Sequence, residues 1–175
     1  MTGRVFNVLF LCTGNSARSI LAEAILRKDG EGRFQAFSAG SQATGSVQPL
    51  ALKALAEVGY PVDDLRSKTW DEFAVPGAPV MDFVFTVCDD AAGEVCPVWP
   101  GQLVTGHWGI ADPARVEGTG LERERAFVTA LGHMKRRISL FAALPFASLD
   151  RASLTATVRE IGHADGASTL RASVA

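Results

Sequence analysis

The chain has 175 residues, 47% hydrophobic and 21% charged, with a formal net charge of −2, the profile of a globular domain that buries about two-thirds of its unfolded surface. Nothing in that charge balance points to nucleic acid or an acidic membrane surface as a partner. No apolar run approaches the roughly 18 residues that a bilayer span needs, and the absence of a signal-peptide pattern before the first strand predicts a cytoplasmic protein.

In chain order, residues 5–11 read as a strand. The helix it feeds carries Ile20, Leu21, Ala24 and Ile25 on one face and ends at Asp29-Gly30-Glu31-Gly32. Residues 34–38 read as a second strand, closed by Ala39-Gly40. Pro49 starts a helix with Leu52, Leu55, Ala56 and Val58 apolar, ended by Gly59. Ser67 or Thr69 caps a short helix that reaches Phe73. Residues 83–87 form an unbroken β-branched and aromatic run, expected of a strand buried on both faces. A long loop occupies 88–101, with Trp99 as an anchor between Pro97 and Pro100, and a weaker strand covers 103–107.

A long amphipathic helix then spans 121–144, with Phe127, Leu131, Met134, Ile138 and Phe141 on one stripe and Pro145 as its stop. The cluster Lys135-Arg136-Arg137 reads as its solvated face. Ser148 is placed to cap a last helix to Ile161, and the small, polar tail after His163 is expected to fray. Strands alternating with helices predict an α/β fold, a three-layer parallel sheet of about four strands with helices on both faces. No repeat or linker divides the chain; residues 1–147 form the domain, and 148–175 a C-terminal helical extension and tail.

The most informative segment joins the first strand to the first helix: Cys12, Thr13, Gly14, Asn15, Ser16, Ala17, Arg18, Ser19. A loop so short between strand and helix turns its backbone N–H groups toward one point and adds the positive end of the helix dipole, a cradle for an oxyanion. Arg18 supplies a planar fork of donors matched to two oxygens. A cysteine in that field is expected as the reactive thiolate, although most buried cysteines are inert. The segment describes a nucleophile aimed at a tetrahedral oxyanion.

Two further groups fall at the same edge, where parallel sheets bind their ligands. Cys88 ends the third strand and Cys96 follows in a loop of small and acidic residues. They are either a half-buried pair or partners in thiol exchange with Cys12, with Cys88 at the fixed strand end better placed to attack Cys12 and Cys96 to attack Cys88. Asp89, Asp90 and Glu94 are expected to raise both thiols above their ordinary range. Asp112, held extended by Pro113 past the fourth strand, is a candidate general acid. His107 and Trp108 read as hydrogen-bonding and packing residues, and His107, His133 and His163 are too scattered for a zinc site; no metal is assigned and no cofactor is expected.

Taken together, Cys12 to Ser19, Phe37-Ser38-Ala39-Gly40, Val87-Cys88-Asp89, Cys96-Pro97 and His107-Trp108-Gly109 through Asp112-Pro113 resemble the arsenate reductases of the low-molecular-weight protein tyrosine phosphatase-like family, over residues 5–145. The anion loop is shared with the phosphatases; the two later cysteines and the His-Trp-Gly run point to the reductase branch. The resemblance implies arsenate detoxification. In that scheme Cys12 attacks arsenate held by the loop and Arg18, and Asp112 protonates the departing oxygen. Cys88 releases arsenite by attacking Cys12, and Cys96 collects the disulfide for thioredoxin. Glutaredoxin with glutathione, or mycothiol, are the alternative reductants, and a phosphatase is the alternative activity.

The same resemblance gives Asn15 a loop-shaping role and makes Ser19 a donor to Cys12. It also matches Asn15, Glu23 and Ser38 to potassium ligands in relatives that bind that ion, with an imperfect match around Ser67 and Thr69. Ala17 stands where many relatives carry another cysteine, and the Cys88–Cys96 spacing is one residue longer than in thioredoxin-coupled members.

Overall fold

The computed structural model of the chain describes residues 3–89 and 103–168. Four parallel strands, β1 (Phe6–Cys12), β2 (Phe34–Gly40), β3 (Phe83–Thr86) and β4 (Val104–His107), form one sheet in the order β2-β1-β3-β4. Cys12 pairs with Gly40, Leu11 with Thr86 and Thr86 with His107, so the carboxyl ends of all four strands lie along one edge. The described α-helices are α1 (Arg18–Asp29), α2 (Pro49–Glu57), α3 (Gly120–Ala142) and α4 (Arg151–Ile161).

The pleat explains the apolar runs. Val8 and Phe10 of β1 and Phe83 and Phe85 of β3 face a core closed by Leu21 and Ile25 of α1 and by Met134, Ile138 and Phe141 of α3. Leu9, Leu11 and Val84, alternating with them, face a smaller cluster with Phe73 and Met81. Both faces of the central strands are therefore dry over Val8–Leu11 and Phe83–Phe85, which is why those stretches are apolar throughout. Helix α1 is buried from Ser19 to Leu26, which fixes the loop before it against the sheet.

The short helix expected near Ser67 is a 3₁₀ turn, Trp70–Phe73, preceded by Thr69 without a side-chain cap. The cap of α4 is Asp150, whose carboxylate accepts from Ser153 N at 2.7 Å, rather than Ser148, which closes a 3₁₀ turn after Pro145. A carboxylate one residue before the first helical turn meets its free N–H groups, and Ser148 lies too early to do so.

Two further expectations are corrected at the C-terminus. Arg137 is fully buried rather than solvated, and its guanidinium donates to the carbonyls of His133 at 3.0 Å, Ala164 at 3.0 Å and Asp165 at 3.2 Å. The tail to Ser168 is tied down instead of frayed, because Ala167 bridges Ile110 in antiparallel sense.

The C-terminal helix also joins the main core. Val158 and Ile161 belong to it, and Trp108 Nε1 donates to the Val158 carbonyl at 2.7 Å. Trp108 itself stacks on Phe85 with ring centroids 3.9 Å apart. Cys96, Trp99 and most of the expected 88–101 loop lie outside the described residues. Among those described, no helix is long and apolar enough to cross a membrane.

Candidate active site

The loop between β1 and α1 is held by its outward-facing carbonyls. Thr13 O accepts from Gln42 N at 3.0 Å, Gly14 O from Thr44 N at 3.0 Å, Ser16 O from Gln48 N at 2.8 Å and Ala17 O from Leu21 N at 2.9 Å. Ser67 Oγ also donates to Gly14 O at 3.3 Å. With these four carbonyls pinned outward, the N–H groups of the trans peptides they belong to turn to the inside of the curl.

Two residues make this curl possible. Asn15 takes a left-handed backbone, φ 45°, which Asn tolerates better than most side chains. Its Nδ2 donates to Ser19 Oγ at 2.8 Å and Ser38 Oγ at 2.9 Å, and its Oδ1 accepts from Lys68 N at 2.9 Å. Gly40 allows β2 to end against the loop, because a Cβ there would stand 2.4 Å from Thr13 O and 2.7 Å from Cys12 O.

Of the sequence-predicted residues, Cys12, Arg18, Cys88 and Asp112 come together. Cys12 is 6% exposed at the tip of β1. The Cys88 sulfur accepts from Thr13 N at 3.3 Å and lies 3.7 Å from Thr13 Oγ1. Arg18 donates to the Ile110 carbonyl at 3.0 Å and reaches Asp112 Oδ2 at 3.4 Å. Asp112 has the extended backbone that Pro113 predicts, and its Oδ1 accepts from Ala114 N at 2.9 Å. Its other oxygen lies 3.6 Å from Arg115 Nε.

The fold sets an opposing influence against the thiolate expected of the loop alone. The hydrogen bond to Cys88 pushes the Cys12 thiol up, and burial adds to it, while Arg18 and the Thr13 N–H pull the other way. Two sulfurs in contact do not both ionise, so the positive field of the loop competes with a neighbour invisible in local sequence. Ser19 Oγ serves as an acceptor for Asn15.

Beneath the loop the three oxygen-bearing side chains matched to potassium ligands do converge. Ser38 Oγ donates to Glu23 Oε2 at 2.6 Å. Among them, however, lies the Lys68 ammonium, 3.4 Å from Ser38 Oγ, 3.8 Å from Glu23 Oε2 and donating to Arg66 O at 3.0 Å. Asn15 turns its amide donor, not its oxygen, to Ser38. One positive charge is already present, and the donor set does not fit a potassium ion beside it.

Burial raises Glu23, with Lys68 the main opposing influence, and burial lowers Lys68. Among the described residues no group of three or more His, Cys, Asp or Glu side chains could hold a metal ion.

Sequence reasoning did not find Lys68, the sheet-end contact of Gly40, or the Thr86–His107–Asp89 chain, in which the imidazole bridges Thr86 Oγ1 at 2.7 Å and Asp89 Oδ1 at 2.9 Å. Each joins residues far apart in the chain, so no local pattern marks it. Arg137 did carry a signal: it stands three residues after Met134 and four before Phe141, on the apolar stripe itself.

The chain matches the model of the low molecular weight phosphotyrosine protein phosphatase family over residues 7–144. It is similar to an arsenate reductase of Shouchella clausii, 39% identical over 77% of this chain and 94% of that protein. Among solved structures it is similar to an arsenate reductase in the phosphate binding state, with TM-score 0.65, 26% identity and coverage of 79% of this chain and 98% of the other. A thioredoxin-dependent arsenate reductase of Corynebacterium glutamicum aligns with TM-score 0.53 and 26% identity over 80% of this chain and 65% of that one.

Proposed function

The chain belongs to the low molecular weight phosphotyrosine protein phosphatase family, and from that premise we propose that it is an arsenate reductase working by a thiol relay. The observation that carries the reading is the Cys88 sulfur at the loop, where it accepts a hydrogen bond at 3.3 Å from the N–H of Thr13, the residue next to Cys12. Hydrolysis of a phosphate ester needs Cys12, Arg18 and an acid; it gives a second thiol at that place nothing to do.

In the proposed reaction the oxyanion occupies the curl of N–H groups and takes the Arg18 fork from Ile110 and Asp112. The Cys12 sulfur attacks arsenic, an As–S bond forms, and an oxygen departs with a proton from Asp112. Cys88 then attacks the Cys12 sulfur. The S–As bond breaks with its electron pair passing to arsenic, so arsenic(V) leaves as arsenite and the two thiols become the Cys12–Cys88 disulfide. Cys96 attacks Cys88, frees Cys12 as the thiolate and leaves a Cys88–Cys96 disulfide. A dithiol protein of the thioredoxin class reduces that bond, a role supported by the thioredoxin-dependent structural relative.

A single turnover without external reductant tests the reading. Fully reduced protein mixed with arsenate releases about one arsenite per chain, the yield of one internal dithiol exchange, and peptide mapping finds Cys88 joined to Cys96. Arsenite that appears only after glutathione is added removes the internal relay. Hydrolysis of an aryl phosphate that survives Cys88→Ala, with no arsenite at all, makes the chain a phosphatase.

A further inference from the structure

The segment after α4 returns to the edge of the site. Arg137 pins the carbonyls of Ala164 and Asp165. Past that anchor Ala167 bridges Ile110, and Ser168 N donates to Gly109 O at 3.0 Å. Ser168 Oγ donates to Asp89 Oδ1 at 3.0 Å, the same oxygen that meets His107 Nε2. Gly109 lies at the centre of this polar knot. A Cβ there would stand 2.4 Å from Ser168 Oγ, 2.6 Å from His107 Nε2 and 2.8 Å from Asp89 Oδ1.

Each strand of the knot leads to a reacting group. Ile110, bridged by Ala167, offers the carbonyl that accepts from Arg18. Asp89, held by Ser168 and His107, follows Cys88 directly in the chain. We propose that residues 164–168 are a positioning strap for the site, holding Arg18 through the Ile110 carbonyl and Cys88 through Asp89. The strap lies beyond residues 7–144, the part shared with the family, so it is an addition by which this chain braces the common catalytic edge. It rests on the reductase reading only in taking Cys88 as the thiol that attacks Cys12. Sulfur-on-sulfur attack is sensitive to placement, and a residue that fixes Asp89 fixes the approach of Cys88.

The test uses the full chain with Ser168→Ala, Ser168→Thr and Gly109→Ala, each checked for an unchanged melting transition. Three quantities are followed: inorganic phosphate affinity, the single-turnover arsenite burst, and the rate at which Cys88 enters a disulfide under dilute hydrogen peroxide. In the peroxide arm Cys12 is oxidised to the sulfenic acid with release of water, and Cys88 displaces a second water from it.

Ser168→Ala is expected to slow disulfide closure and the arsenite burst by about three- to tenfold, the range one hydrogen bond supports, with phosphate affinity unchanged. Ser168→Thr, which keeps the hydroxyl, restores the rate. Gly109→Ala slows closure and also weakens phosphate binding, because it displaces the strap from the Ile110 side. Wild-type closure in Ser168→Ala, a loss that Ser168→Thr fails to restore, or wild-type closure and affinity in Gly109→Ala overturns the strap. If the wild type closes its disulfide under peroxide yet releases no arsenite, the reductase reading falls, and the peroxide arm still decides the strap.

Discussion

The backbone N–H of Thr13 points at the Cys88 sulfur from 3.3 Å, which places the second thiol on the first donor of the anion loop. The loop therefore serves two sulfurs in the reduced protein. Any oxyanion that settles there meets a nucleophile whose neighbour is already within reach, and the Cys88 side chain pushes the Cys12 thiol up against the pull of Arg18 and the Thr13 N–H.

Removing that neighbour has a definite sign. In Cys88→Ala the largest influence raising Cys12 is gone, while Arg18 and the Thr13 N–H still favour the thiolate. The pH at which Cys12 becomes half-alkylated by iodoacetamide is expected to move down relative to wild type, and alkylation at neutral pH to speed up, even as arsenite release stops. An unmoved or higher inflection would contradict the shared field.

Arg18→Lys replaces a fork with a point charge. Inorganic phosphate, as competitor, should bind about 10- to 100-fold more weakly, the worth of a charge-assisted bidentate contact. Equilibrium dialysis measures it. A loss below threefold would mean that the loop amides do nearly all of the holding.

Asp112→Asn keeps the 2.9 Å contact with Ala114 N available through its amide oxygen but cannot deliver an acidic proton. The arsenite burst rate is expected to fall about 10²- to 10⁴-fold with phosphate affinity no weaker than wild type. Weakened binding with an unchanged burst would make Asp112 a binding residue instead.

Lys68→Met leaves Glu23 buried with Arg27, 2.7 Å away, as its near cation. Breaking a buried pair costs about 3–5 kcal/mol, readable as a lower urea midpoint. The pH dependence follows from Glu23, which burial raises in the folded state and which loses its main opposing charge in this variant. A carboxyl raised on folding is harmless while protonated in both states. Its cost enters as pH rises above the unfolded value and is complete above the folded one. The deficit of Lys68→Met against wild type is therefore expected to vanish in acid and grow toward neutrality. A deficit independent of pH would assign it to lost packing of the lysine stem.

The chain's local pattern carried the four strands, the long helix stripe and the loop from Cys12 to Ser19, because each of these is set by residues within a few positions of one another. Periodicity reports burial, and Gly, Asn and Pro report turns. The convergence of Cys12, Cys88 and Asp112 on one edge was also legible, since a parallel sheet brings its strand ends together.

The tertiary structure alone decided the charge states and the bracing. Lys68 standing beneath the loop, Cys88 pushing up Cys12, Gly40 closing on Thr13, and Ser168 holding Asp89 are contacts between segments tens of residues apart. Local propensity says nothing about them. Burial sets the energy of a charge, and burial belongs to the packed molecule rather than to any window of its sequence.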